Sequence, residues 1–392
     1  MNIILFDTEK RTNLLPLTFT RPVADLRIGI LKLSEKWKKY LNAAVSYKTV
    51  DYLATKFSMT LSEKNYWIDG SIVVNSILAE EVSNLKEQEV LTFNDAVIAY
   101  ISDVELTDFA NFEKIETSAN PIQINHSWDI FANNNRAIEE DFQLLTKDRT
   151  SADISDTNRI IGDESRLFVE EGVDMECATL NTKAGVIYIG KNVTILEGCL
   201  VRGALAMNEG SLLKMGAKIY GATTLGKYAK IGGEVNNSVI YDYSNKGHEG
   251  FLGNSVLGEW CNLGADTNNS NLKNNYQPVK LWDYNTGRFT KTGLQFCGLI
   301  MGDHSKSGIN TMFNTGTVVG VAANVFGADY PRNFIPSFSW GITHSQTFRM
   351  KQVLEMAAAM MGRRNIPLTE VDVTILEDVL TMTAKYRTWE KD

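Results

Sequence analysis

One histidine sits at the centre of a run unusually rich in small and polar residues, Ser244-Asn245-Lys246-Gly247-His248-Glu249-Gly250-Phe251-Leu252-Gly253. Gly233-Glu234-Val235-Asn236 precedes it; Asn262-Leu263-Gly264-Ala265-Asp266-Thr267 and then Asn271-Leu272-Lys273 follow. An imidazole with an unperturbed pKa of about 6.5 can take a proton from an attacking group near neutral pH. A tight Gly264-Ala265 corner can offer a backbone N–H to an oxyanion. A histidine taken alone is more often structural; the surrounding pattern is what singles out His248. His126, His304 and His344 have no such company and no metal-ligand spacing, so structural or surface roles are expected. Lys273, Lys280 and Arg202 are further cations to weigh, and the plain reading of each is a solvated surface charge.

The elements that carry this run announce themselves by period. From Ile189 an aliphatic residue returns every sixth position, at Ile195, Val201, Met207, Leu213, Ile219, Leu225 and Ile231. Four places after each stands a compact residue: Val193, Cys199, Leu205, Ser211, Ala217, Thr223, Ala229 and Val235. Six fits neither a helix nor simple alternation, so it calls for a short strand plus a corner, stacked into a β-helix. The repeat runs from about 160 to 326. Its phase slips through 236–250 and resumes at Leu257 and Leu263; 268–298 is expected to be a loop on the flank. The hexads return as Met301, Ser307, Phe313, Val319 and Val325, with Ser305, Thr311, Thr317 and Ala323 at the compact positions. Gly302, Gly308 and Gly320 are expected at left-handed or tight corners. Pro331 and Pro336 end the column.

Outside the repeat, Ile3-Ile4-Leu5-Phe6 reads as a buried strand and 28–40 as an amphipathic helix with Ile28, Leu31, Leu33 and Trp37 inward. Residues 72–74 and 96–101 are further strand candidates, and 128–145 a helix capped by Asn125 or Ser127. The alternation suggests an α/β sheet. Residues 147–158 read as a linker, and 346–364 and 368–386 as amphipathic helices that cap the column or pack on a neighbour. The expected domains are 1–150, 160–335 and 345–392. The chain of 392 residues has a net charge of −8, which argues against nucleic acid or an anionic membrane as main partner. No apolar run approaches the roughly 18–20 residues of a spanning helix. The four cysteines lack CxxC spacing, and the first residues have no signal-peptide shape, so a reduced, cytoplasmic protein is expected.

The run from Gly233 to Lys273 resembles the acetyltransferase half of the bacterial bifunctional family that makes UDP-N-acetylglucosamine. It is also similar to the archaeal sugar-1-phosphate nucleotidyltransferase/acetyltransferases. The resemblance covers about 160–335 and implies a left-handed parallel β-helix and a homotrimer. It implies that His248 is the general base removing a proton from a sugar 2-amino group as that amine attacks acetyl-CoA. It places Asn262, Asn271 and Glu234 on the sugar, Lys273, Lys280 or Arg202 on its phosphate, and Ala265, Ile309 and Ala323 along acetyl-CoA. Two positions depart from the pattern: Phe251 stands for the family's tyrosine and Asn236 for its lysine, which removes a hydroxyl and a cationic contact.

Whole-chain order resembles an alternative, Bacteroidetes-type branch of the same family, in which an α/β nucleotidyltransferase domain precedes the β-helix. That activity uses a glycine-rich loop after the first strand, and here residues 7–18 contain no glycine. Lys10 and Arg11 are candidates to mimic its basic residues, and Arg21, in Thr20-Arg21-Pro22 with Arg27 and Gly29 beyond, for a site of its own. Asp7, Asp69 and Asp129 are candidates for Mg²⁺, with no pair assignable. The expected function is N-acetylation of glucosamine-1-phosphate or an epimer, with transfer of UTP- or dTTP-derived nucleotide by the first domain. The alternatives are a nucleotidyltransferase whose β-helix only assembles the oligomer, and a trimeric scaffold without chemistry.

Overall fold

The structure is a computed structural model and describes residues 1–343 and 345–390; His344 and the last two residues of the expected tail lie outside the described residues. The first 146 residues build a six-stranded sheet in the order Ala44–Lys48, Asn2–Phe6, Asn65–Asp69, Ala96–Ser102, Glu89–Phe93, Glu113–Glu116. The first three strands are parallel, and Ala96–Ser102 runs antiparallel to its neighbours. The chain passes from Asn2–Phe6 to one side and then returns on the other. A topological switch point therefore lies beyond Phe6 and Asp69, which are paired in register.

Two helices differ from the sequence reading. Residues 28–40 are helical only over Leu33–Leu41, although Ile28, Leu31, Leu33 and Trp37 are buried as expected. The reason lies in the backbone amides before it. Gly29 has φ +73 and its N–H donates to Asn134, while the N–H groups of Ile30 and Leu31 donate to buried Asp141. A Cβ on Gly29 would stand 2.7 Å from the Ala137 carbonyl oxygen. The helix expected at 128–145 is broken into Asp129–Ala132 and Asn134–Thr146. Neither Asn125 nor Ser127 caps it; instead Asp129 accepts the N–H groups of Asn125 and His126.

From Arg159 onward the chain winds into a three-sided column with the architecture of a left-handed parallel β-helix. We call the nine-stranded wall beginning at Leu167–Val169 face A, the eight-stranded wall beginning at Asp174–Met175 face B, and the six-stranded wall beginning at Arg159–Ile161 face C. All the inward hexad residues from Ile189 to Ile231 are at most 3% exposed, and their compact partners, Cys199 included, are fully buried. The phase slip does not leave the column. Leu205 pairs with Thr223, but Thr224 pairs with Val239, so one coil is three residues shorter and its strands still stack. The expected loop keeps Asn268–Asn269 in the column, paired with Met312–Phe313, and leaves only afterwards. It then folds into a hairpin, Lys280–Asp283 with Arg288–Lys291, whose Val279 and Leu281 are buried on face A.

The corners also correct an expectation. Gly302, Gly308 and Gly320 are not left-handed; coil-to-coil approach requires them, a Cβ on Gly320 standing 2.3 Å from the Ser337 nitrogen. Left-handed corner backbone falls on Tyr228, Tyr243, Trp260 and His304 instead, whose φ values run from 57 to 63. Their rings stack in a ladder between faces A and B, with centroids 5.7, 4.2 and 6.4 Å apart. The helices Met350–Gly362 and Glu370–Met382 do not cap the column. Val353, Ile375, Leu376 and Val379 join one apolar cluster with Phe19 and Leu26 of the first region and Leu281 and Phe338 of the second. A Lys56–Asp372 ion pair of 2.7 Å closes the outer edge of that junction. Among the described residues no helix is long and apolar enough to cross a membrane.

Candidate functional site

The corner between faces B and C carries His248. Counting from the inward residues Lys246, Leu263 and Ser307, positions Gly247-His248, Gly264-Ala265 and Gly308-Ile309 are equivalent on three successive coils. His248, Ala265 and Ile309 thus form one column, with coils about 4.8 Å apart. Below His248 the equivalent residue is Gly233, which has no side chain, and below that Met215, 68% exposed. The column is therefore notched beneath the imidazole. Backbone bonds clamp the His248 corner from both sides: Glu234 N–H donates to the Gly250 carbonyl, and Asp266 N–H to that of Glu249. Gly250 has φ +116, and a Cβ there would stand 2.2 Å from the Thr267 oxygen. The His248 imidazole is exposed and makes no hydrogen bond or ion pair with any described residue.

A backbone N–H was expected to be available at the next corner, Gly264-Ala265. That of Gly264 is taken by Ser307, whereas that of Ala265 has no acceptor among the described residues. Asn262 faces outward on wall B, just before this corner, in register with Asn245 and Lys306. Wall C begins just after the corner and presents two rows, Leu200, Lys218, Glu234, Phe251 and Arg202, Tyr220, Asn236, Gly253. The Tyr220 hydroxyl donates to Glu234 at 2.5 Å, so the outer face of wall C carries Arg202, Glu234, Asn236 and Phe251 side by side with an unforeseen tyrosine.

The remaining predicted residues separate. Asn271 lies at the far corner of wall C, donating to Asn254 at 2.8 Å, six residues and at most roughly 20 Å of strand from His248. Lys273 is beside it, its ammonium on the Pro278 carbonyl, and Lys280 is exposed on the hairpin over face A. None of the three bonds to His248 among the described residues, although the Asn271 amide lies beside the Phe251 ring on wall C. Ala323 is contradicted outright: it is fully buried inside the column, its N–H on Ser305 and its carbonyl accepting from Lys306.

Sequence reasoning missed Lys246. It occupies an inward hexad position between Ile231 and Leu263, only 1% exposed, and the shortened coil hid it from the period. Its ammonium donates to the carbonyls of Gly232 (3.1 Å) and His248 (2.9 Å), tying two corners together from inside. Burial pushes its pKa down to about 8.

In the first region, Asp7 and Asp69 stand at neighbouring strand ends at the switch point, while Asp129 is a turn acid elsewhere. Asp7 accepts from Val23 N–H and Thr49, and burial raises its carboxyl above the ordinary value. Asp69 holds Ser71 with one oxygen; its other lies 3.7 Å from the Lys10 ammonium. Arg11 does not face a ligand: it is buried, bonded to the Thr18 carbonyl and to Tyr52, and 3.5 Å from Asp7. Arg21 is likewise corrected. Its guanidinium is buried against Asp303, Glu259 (2.7 Å) and Asp25 (3.2 Å), and Arg27 meets Asp242 (3.1 Å). The Thr20–Arg27 cluster is the clasp joining the first region to the column. Nothing in the local sequence signals acids more than 200 positions away.

A cavity of about 180 Å³ remains inside this junction, lined by Arg21, Lys32, Glu259, Asp303 and His304 among others. The His304 imidazole, buried and unbonded at Nδ1, is held neutral there, its pKa pushed down by burial to about 3.

A crystal structure of the polySia-specific acetyltransferase NeuO aligns with 12% identity over 47% of this chain and 77% of its own, at a TM-score of 0.24. No curated protein matches the chain. Residues 3–150 match the family described as sugar nucleotidyl transferase, which supports an enzyme with sugar-nucleotide-related transferase activity.

Proposed function

We propose that the protein N-acetylates an amino-sugar 1-phosphate, glucosamine-1-phosphate or an epimer, using acetyl-CoA, in sugar-nucleotide biosynthesis. The observation carrying this reading is the corner column: an unpartnered imidazole above a glycine notch, with the free Ala265 N–H one coil up and Ile309, 72% exposed, beyond it. His248 takes the proton from the amine as its nitrogen attacks the thioester carbon. The Ala265 N–H faces the oxygen that gains negative charge, and the C–S bond then breaks to release the CoA thiol. Asn262, from the wall before the corner, orients the sugar, and wall C supplies Glu234, Asn236, Tyr220 and Arg202. Asn271 reaches the outer face of wall C beside the Phe251 ring and serves the sugar there, and Lys273 and Lys280 serve the phosphate from a neighbouring subunit. The exposed apolar residues on and beside wall C, Leu200, Met215 and Ile309, support the homotrimer.

A second activity is favoured by the family match over 3–150 and by Asp7 and Asp69 at the switch point: transfer of a nucleotide from UTP or dTTP to the sugar phosphate. Among the described residues no group of three or more metal ligands is present. Two carboxylates nevertheless suit Mg²⁺, which takes the rest of its shell from phosphates and water. Bound there, Mg²⁺ would neutralise phosphate charge, and Lys10 is the cation left partly exposed beside Asp69.

Thiol release from acetyl-CoA, with and without glucosamine-1-phosphate, tests the first activity; sugar-independent release alone refutes it. Pyrophosphate release from UTP or dTTP tests the second, which Asp69→Asn is expected to lower at least tenfold. No turnover with either nucleotide refutes it.

A further inference from the structure

The protein is acidic, and among the described residues 16 Lys and Arg side chains are held in ion pairs, every cation of the clasp included. One group is the opposite. Lys214 and Lys230 on wall B, and Arg363 and Arg364 at the end of the helix Met350–Gly362, converge with no carboxylate within ion-pair distance of any among the described residues. Their convergence follows from contacts. The Arg364 guanidinium lies 5.7 Å over the Tyr228 ring and donates to the Tyr228 carbonyl at 3.2 Å. Lys230 is two residues on, in register with Leu212, and Lys214 follows Leu212 by two, its Cβ 3.2 Å from where a Cβ of Gly232 would stand. Helix-end cations ordinarily complement the helix dipole. That need accounts for the two arginines and not for lysines brought by a different element to the same place. Burial, then repulsion from Arg364, Lys214 and Arg363, lowers the Lys230 pKa, and no carboxylate offsets them.

We propose that Lys214, Lys230, Arg363 and Arg364 form a binding site for a ligand carrying at least two linked phosphates. Four uncompensated cations in a net-negative protein repel one another, and a polyanion is the chemistry that turns this repulsion into attraction. A single phosphate matches half of that charge. The Tyr228 ring is already engaged, stacked on Tyr243 and covered by the Arg364 guanidinium, and is not left to stack a base. The site therefore reads the phosphates and not a nucleoside. The pyrophosphate of CoA, that of a nucleotide, and inorganic pyrophosphate share this chemistry. None of the four residues pairs with His248 itself: Lys230 lies one coil, or about 4.8 Å, below Asn245, and Lys214 two coils below Gly247.

The test is calorimetric titration of the full-length protein at low salt with inorganic phosphate, inorganic pyrophosphate, CoA and UTP. Pyrophosphate is expected to bind at least tenfold tighter than phosphate and to weaken as salt rises. Lys230→Gln with Arg363→Gln is expected to lose at least tenfold of the pyrophosphate affinity. His248→Ala and Asp69→Asn are expected to leave it unchanged. Whichever of CoA and UTP loses affinity in the double variant is the natural source. Arg363→Gln alone, at an exposed position, gives the same reading with a smaller change if the double variant fails to fold. Equal affinity of wild type and variants for pyrophosphate, or phosphate binding as tightly as pyrophosphate, overturns the proposal.

Discussion

Replacing Arg21 with methionine is expected to loosen the join between the two halves rather than to abolish nucleotide binding. The guanidinium is shared by Asp303, Glu259 and Asp25 and lies 5.5 Å from the Tyr241 ring centroid. Removing one partner from a buried ionic cluster costs about 3–5 kcal/mol, because the remaining charges stay buried without compensation. Lys32 still covers Asp25 and Glu259, so Asp303 is the acid left most exposed to this cost. With an unfolding entropy of roughly 2.1 cal/mol/K per residue, a chain of 392 residues unfolding as one unit loses about 4–6 °C. If the first region of roughly 150 residues unfolds alone, the same cost lowers its transition by about 10–15 °C. Scanning calorimetry separates the two cases. Adding Asp303→Asn to the variant should restore part of the loss, a coupling that independent sites do not show. Burial alone would raise the Glu259 carboxyl, but Arg21 and Lys32 overcome it and hold it far below the usual range. This contribution is complete above the unfolded value near 4.5 and is lost as pH falls below it, so the variant should lose the corresponding part of its acid sensitivity. An unchanged transition accompanied by lost UTP binding would refute the clasp and return Arg21 to a nucleotide role.

Lys246→Met tests the buried ammonium: charging it costs stability most below about 8, and the cost fades as pH rises from 8 toward 10.5. Wild-type stability should therefore gain up to about 1.4 kcal/mol per pH unit over that window relative to the variant, measured by urea unfolding. Lys306, also near 8, contributes equally to both proteins and cancels in the difference. Gly250→Ala adds a Cβ 2.2 Å from the Thr267 oxygen at φ +116, and is expected to cost at least about 1–3 kcal/mol and most of the acetyl transfer. Wild-type stability with full activity would show that the corner does not need this backbone.

The column was legible because one inward residue per hexad must be small enough and apolar enough to stack, so Ile189 to Ile231 expose the period directly. His248 stood out only by the pattern around it; of its neighbours Gly233 and Gly250 answer close approach of successive coils, whereas Gly247 has open space beside it. Other features leave no local trace. The shortened coil disguised Lys246 as part of a break. The amides of Ile30 and Leu31 are claimed by Asp141, which no helical periodicity at 28–40 could reveal. Arg21 has the composition of a ligand-binding arginine, and only the approach of Asp303 shows that its partners are internal. Ala323 matched a pattern position yet faces inward, because its coil places the compact residue inside and the ligand-accessible corner two residues after Val325.

The most direct measurement is release of CoA thiol from acetyl-CoA in the presence of glucosamine-1-phosphate, comparing wild type with His248→Ala at matched oligomer size. The imidazole is exposed and supports no neighbour, so its removal should leave folding intact and reduce turnover by at least about 100-fold. Sugar-dependent turnover that survives the substitution contradicts the assignment of acetyl transfer to this corner.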